Sequence, residues 1–246
     1  MTDGNAMNPH YSNFYENGLQ LSKIGKYEEA VMEFDKTISL KPDHASAWFS
    51  KGVSLCKVER YQEAIDCFDK AIGIDENFMS AWYEKGVAYD KLGQYEKAIY
   101  SYDKTIWINH NVVKDLYKIV SGPGVSPFEV VKSGGVREIG IQCVFAWINK
   151  GIIFARQGKY HEAIECYDNA IMVRSKYLDS VNIEGEVSAK QEKNSIVLVQ
   201  YDLAILNEEN YLDAWVNKGR TLEKLGKFEE ADRCFKKADE ILNQNL

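Results

Sequence analysis

The side chains able to do chemistry are scattered along this chain rather than gathered. The histidines are His10, His44, His110 and His161, and no two stand at metal-ligand spacing. The cysteines are Cys56, Cys67, Cys143, Cys166 and Cys234, with no Cys-x-x-Cys pair among them. His161 and Glu165 fall four apart, the spacing of an ordinary solvated pair on one helix face. Ser121-Gly122-Pro123-Gly124 has the look of a phosphate loop, but it lacks the Gly-Lys-Ser/Thr ending and follows no strand pattern. Acidic pairs such as Glu28-Glu29 and Glu229-Glu230 sit where helices should begin, and there they favour the helix dipole. These patterns predict no catalytic residue, no metal and no cofactor. What remains is the chemistry of non-covalent binding.

The elements that would carry such binding are set by a period of 34 residues. Trp48 and Trp82 are 34 apart, and Trp147 and Trp215 are twice that. Gly18, Gly52, Gly86, Gly151, Gly185 and Gly219 keep the same beat on either side of one 65-residue step, as do Ala30, Ala64, Ala98, Ala163 and Ala231. Aromatic residues follow at Phe34, Phe68, Tyr102, Tyr167, Tyr201 and Phe235. A fixed period of this length predicts a solenoid whose units bury their apolar faces only against neighbours. Aligned on the glycines, the units are 11–44, 45–78, 79–112, 144–177, 178–211 and 212–245. Each reads as two helices. The first opens near the Trp and runs to a turn such as Lys91-Leu92-Gly93-Gln94, where Gly25, Gly93, Gly158 and Gly226 suit a left-handed stop. The second carries Tyr-x-x-Ala-x-x-x-Phe/Tyr, for example Tyr95, Ala98 and Tyr102, which share one helical face.

The unit resembles the tetratricopeptide repeat. Residues 79–112 carry its Trp82, Gly86, Tyr89, Gly93, Tyr95, Ala98 and Tyr102, with Thr105 at the last small position. Residues 11–44 have Phe14 in place of Trp and end on Pro42. The resemblance implies an all-α, tetratricopeptide-type α-solenoid, a right-handed superhelix of helix-turn-helix repeats. It covers 11–112, 144–177 and 212–245. In 178–211 it weakens, with Val181 for Trp, Ser188 for the large apolar residue and Asn194 for Tyr, so this segment reads as a degenerate repeat kept in register. Residues 113–143 contain two of the chain's four prolines and read as an insertion or a remodelled repeat. Within them Ser126-Pro127-Phe128-Glu129 has the form of a capping box, and Gly134-Gly135 would stop the helix it starts. Residues 1–10 read as a tail, and the whole as one elongated domain.

Composition narrows the partners. A net charge of −7 argues against a broad phosphate-binding surface, hence no nucleic acid, and leaves room for basic partners. No run of 18 apolar residues spans a membrane, and Met1 to His10 has neither a basic start nor an apolar run. Three of the five thiols, Cys67, Cys166 and Cys234, occupy one repeat position, a packing slot, and the odd count predicts a reducing, cytoplasmic setting.

In the family that the chain resembles, first helices line a concave groove, and the groove positions stand one and five residues after the Trp. The resemblance places there Tyr15 and Leu19, Phe49 and Val53, Tyr83 and Val87, Ile148 and Ile152, and Val216 and Arg220. Some family members grip a chaperone's terminal carboxylate with two Lys, two Asn and an Arg. The matching positions are Tyr15, Leu19, Ser50, Ser80 and Glu84, which supply neither the charge nor the amides. The groove should therefore take an apolar peptide or partner segment, which makes the chain a non-catalytic protein-interaction scaffold. The alternative is self-assembly into a homodimer, if Ala231, Phe235 and Ala238 leave apolar surface on the last repeat.

Overall fold

The computed structural model describes residues 10–120, 135–172 and 212–243, and all the secondary structure in them is helical. The helices are α1 (His10–Lys23), α2 (Tyr27–Leu40), α3 (Ala45–Lys57), α4 (Tyr61–Ile74), α5 (Met79–Lys91), α6 (Tyr95–Val120) and α7 (Gly135–Arg156). After them come α8 (160–172), α9 (212–224) and α10 (Phe228–Asn243). The look-alike phosphate loop, the capping box and the degenerate repeat 178–211 lie outside the described residues. The chain divides into two compact units, 1–101 and 102–246, and the division falls within α6.

The turn between paired helices follows from its glycine. Gly25, Gly93, Gly158 and Gly226 have φ of 80°, 70°, 75° and 73°. That left-handed residue lets the next N–H turn back: Lys26 donates to the Leu21 carbonyl at 2.9 Å and Gln94 to that of Tyr89 at 2.9 Å. The helix is thereby closed and the chain reversed into its partner.

The partner helices meet at a second glycine. A Cβ built on Gly52 would lie 2.5 Å from the Phe68 ring, and one on Gly18 would lie 2.5 Å from Phe34. In the second unit Gly151 stands in the same relation to Tyr167 and Gly219 to Phe235, each at 2.6 Å. The aromatic ring fills the space a Cβ would need, so the small residue and the large one are a matched pair. Around them Ala30, Phe34, Ala64 and Phe68 are sealed from solvent, as are Ala163, Tyr167 and Ala231.

One pair of side chains recurs where successive repeats meet. In the first unit Lys51 reaches Asp35 and Lys85 reaches Asp69, both at 2.5 Å. In the second unit Lys150 reaches Asp103 at 2.6 Å and Lys218 reaches Asp168 at 2.5 Å. Each lysine also lies over the Trp three residues before it, with Lys85 at 4.9 Å from the Trp82 ring and Lys218 at 5.6 Å from Trp215. The indole is anchored in turn: the Nε1–H of Trp48 donates to the Pro42 carbonyl at 2.9 Å, and that of Trp82 to Glu76 at 3.0 Å. Lys218 thus ties α9 to α8, and Ala214 joins Ile148 and Ala170 in one core cluster. The repeat at 212–243 packs directly on the repeat at 144–172.

Two helices run past the repeat boundaries. α6 continues to Val120 and α7 starts at Gly135, so both ends of the segment 113–143 are helical. Gly135, expected to help stop a helix, opens one.

Candidate functional site

The predicted groove positions of the first unit lie on α1, α3 and α5, with α3 in contact with both of the others. Tyr15, Leu19, Phe49, Val53, Tyr83 and Val87 are all half-buried. Their burial comes from the stack. The Tyr15 ring lies 5.9 Å from Phe34 of its own repeat and 4.8 Å from His44, the residue that caps α3. Phe49 repeats this one unit on, 6.0 Å from Phe68 and 5.0 Å from Phe78, which precedes α5. Val53 rests on the same core cluster as Phe49. The two apolar rows therefore help to join repeats, and each still shows part of its surface.

The second unit treats its positions differently. Ile148 is only 4% exposed and belongs to the core with Ala170 and Ala214, so it offers a partner little. Ile152 packs against that cluster, Val216 is half-buried and Arg220 is exposed. On α10, Ala231 and Ala238 are 1% and 3% exposed, and Phe235 packs beside Leu222 and Cys234. The apolar surface expected of Ala231 and Ala238 is consumed inside the unit, because α10 turns that face onto α9.

Charge along the row is uneven. Ser22 and Ser54 share a hydrogen bond of 3.1 Å between α1 and α3. Between α3 and α5 stands Glu84, which is half-buried and whose pKa is raised by burial and opposed by Lys57. The Cys56 thiol beside it is pushed up to about 12, first by burial and then by the charge of Glu84. Burial likewise pushes Cys67 up to about 11 and Cys166 up to about 12, so these thiols are packing groups without nucleophilic character. At the clamp positions Glu84 carries the wrong sign for a carboxylate ligand, and its burial is not written in the sequence. The signal available was one acidic residue within the aromatic stretch Trp82-Tyr83-Glu84, at a position that is Ser50 one repeat earlier. Among the described residues no group of His, Cys, Asp or Glu is arranged to hold a metal, and no helix is long and apolar enough to cross a membrane.

The tetratricopeptide repeat model matches residues 45–78, 80–112 and 144–177, and a second model of the same repeat matches 212–244. The chain belongs to the tetratricopeptide repeat family. The family models leave 11–44 unmatched, where Phe14 replaces the Trp, yet α1 and α2 meet through the same glycine–aromatic contact as the matched repeats. Among solved structures, the chain is similar to a crystal structure of MamA protein at 16% identity, with 97% of this chain and 94% of that one covered and a TM-score of 0.63. It is similar to residues 41 to the end of MamA from Desulfovibrio magneticus RS-1 at 15% identity, covering 97% and 98%, with a TM-score of 0.62. YrrB, described as a tetratricopeptide protein with an unusual peptide-binding site, is 19% identical over 93% of this chain and 84% of that one, at a TM-score of 0.53. Identities this low speak for the fold alone, an α-solenoid of stacked helix pairs. No curated protein matches the chain.

Proposed function

We propose that this protein is a non-catalytic interaction scaffold that takes a peptide or partner segment along α1, α3 and α5. One observation carries the reading. After the stack has sealed Ala47, Leu55, Ala64 and Phe68, the second apolar row of Tyr15, Phe49 and Tyr83, beside Leu19, Val53 and Val87, keeps part of its surface open. These six side chains recur at two repeat positions four residues apart, and a partly open apolar row of this kind favours a partner site. The family supports a binding role in general. The peptide site in the description of YrrB supports peptides as the class of partner for this fold. No charged clamp is available, so affinity rests on apolar contact from an amphipathic helix or an extended segment with aliphatic anchors.

The test is Phe49→Ala, alone and combined with Tyr15→Ala and Tyr83→Ala, against a partner captured by the immobilised parent chain. An aromatic anchor cut to Ala costs about 2 kcal/mol at an interface centre, roughly 30-fold in affinity. Phe49 also touches Phe68 and Phe78, so helicity and melting are followed on the same samples. A folded triple variant that binds as well as the parent would show that the strip is not the site.

A further inference from the structure

Glu84 is the one acidic side chain in this groove that combines burial with isolation. Several acidic groups elsewhere in the first unit find cations. Asp35 and Asp69 hold Lys51 and Lys85, while Glu29 and Glu63 hold Lys26 and Arg60. All four of those acids are about half exposed. Glu84 has lost more of its water than any of them, and among the described residues no hydrogen bond or ion pair replaces it. Lys57, near the C-terminal end of α3, bears on it only as a charge at a distance, and Cys56 on the same helix stays a neutral thiol. A carboxylate short of both water and donors is poorly solvated. A donor brought by a ligand gains more there than at an open surface. The gain is largest for a cation, whose hydrogen bonds to a carboxylate are charge-assisted.

The surroundings say what such a cation must be attached to. Tyr83 adjoins Glu84 in sequence and Val87 stands three residues on, while Phe49 and Val53 belong to α3 alongside. A small hydrated ion would gain little from these apolar neighbours. A Lys or Arg side chain lays its methylene stem along apolar surface and delivers charge at the tip. The net charge of −7 favours the approach of a basic segment.

We propose that Glu84 sets the specificity of this groove, and that the segment bound there presents a Lys or Arg between apolar anchors. The proposal rests on the groove reading above. The probe is a random phage-displayed peptide library panned on the full chain. Enriched sequences are synthesised and titrated against the parent, Glu84→Gln and Phe49→Ala. Enriched peptides carry Lys or Arg next to aliphatic or aromatic residues. Glu84→Gln weakens them by about ten-fold or more, the worth of one charge-assisted hydrogen bond. A peptide with norleucine for its basic residue then binds parent and Glu84→Gln alike, a coupling that a merely structural role would not produce. Glu84→Gln removes a desolvated charge, so it melts no lower than the parent, and a collapse of its melt would overturn the proposal. Equal binding by parent and Glu84→Gln, with Phe49→Ala weakened, overturns the role of Glu84 and leaves the groove standing. Equal binding by all three proteins, or a library that enriches nothing over uncoated support, overturns both.

Discussion

Glu59 holds the place that Gly25, Gly93, Gly158 and Gly226 hold in the other described repeats, and it holds it with φ at 60°. The turn demands that angle: Arg60 donates back to the Leu55 carbonyl at 2.9 Å, as Lys26 does to Leu21. A side chain there crowds its own carbonyl, at a cost of about 1–2 kcal/mol, of which glycine's greater freedom when unfolded would return about half. Glu59→Gly should therefore stabilise the protein by roughly 0.5–1 kcal/mol, seen as a later urea midpoint with an unchanged slope. An earlier midpoint would mean that the left-handed angle is not strained. The four glycines were legible as turns because glycine at a helix end has few other uses. The same turn at Glu59 was legible only through the period, since nothing about a glutamate announces a positive φ. Glu84 was hidden in another way. Its burial depends on α3, and no local pattern reports which neighbour will cover a residue.

At the scale of helices, the pairing was legible because two steric demands coincide every 34 residues. The contact between Gly52 and the Phe68 ring is the point where one helix can least afford an extra atom. Gly52→Ala should cost about 1–3 kcal/mol by overpacking, although alanine is the better helix former. Thermal melts of the single variant and of Gly52→Ala with Phe68→Leu measure this. The smaller side chain should recover part of the loss, and a single variant as stable as the parent would refute the close contact. The reach of α6 and α7 was not legible. The repeat pattern stops at Val112, and with it the periodic signal for the helix. Yet Val113-Lys114-Asp115-Leu116-Tyr117-Lys118-Ile119-Val120 contains no Pro or Gly, so nothing in the chain breaks the helix before Gly122. In the second repeat, by contrast, α4 ends at Ile74, at the period, with Asp75 turning the chain toward α5.

At the scale of the whole molecule, the same Lys–Asp pair recurs in both units and fixes the stacking within each. The partners are 16 residues apart for Lys51 and Lys85, 47 for Lys150 and 50 for Lys218. Lys51, Lys85, Lys150 and Lys218 all stand one residue before the repeat glycine, and Asp35, Asp69, Asp103 and Asp168 one residue after the aromatic. This series was legible in the sequence only as spacing, because charged residues on a solenoid are ordinarily solvated surface. At the corresponding lysine position, residues 178–211 carry Glu184, which is an anion and cannot replace the lysine as a partner for an aspartate. Stacking also sets how much surface the groove rows keep open. The positions were found from the resemblance, but Tyr15 and Phe49 lean on His44 and Phe78 at the start of the next repeat, and Ile148 is taken into the core. A ladder of this kind serves the stack first and keeps only part of its surface open.

The claim that a partner lies on the first helices of the first three repeats is tested most directly by amide hydrogen exchange, with and without a saturating peptide selected on the full chain. Exchange reports local opening helix by helix, and a bound segment slows it where it lies. The account predicts added protection in α1, α3 and α5, strongest around Phe49 to Val53 and Tyr83 to Val87, with α2 and α4 unchanged on their outer faces. Protection confined to α2 and α4, or to α9 and α10, would contradict it.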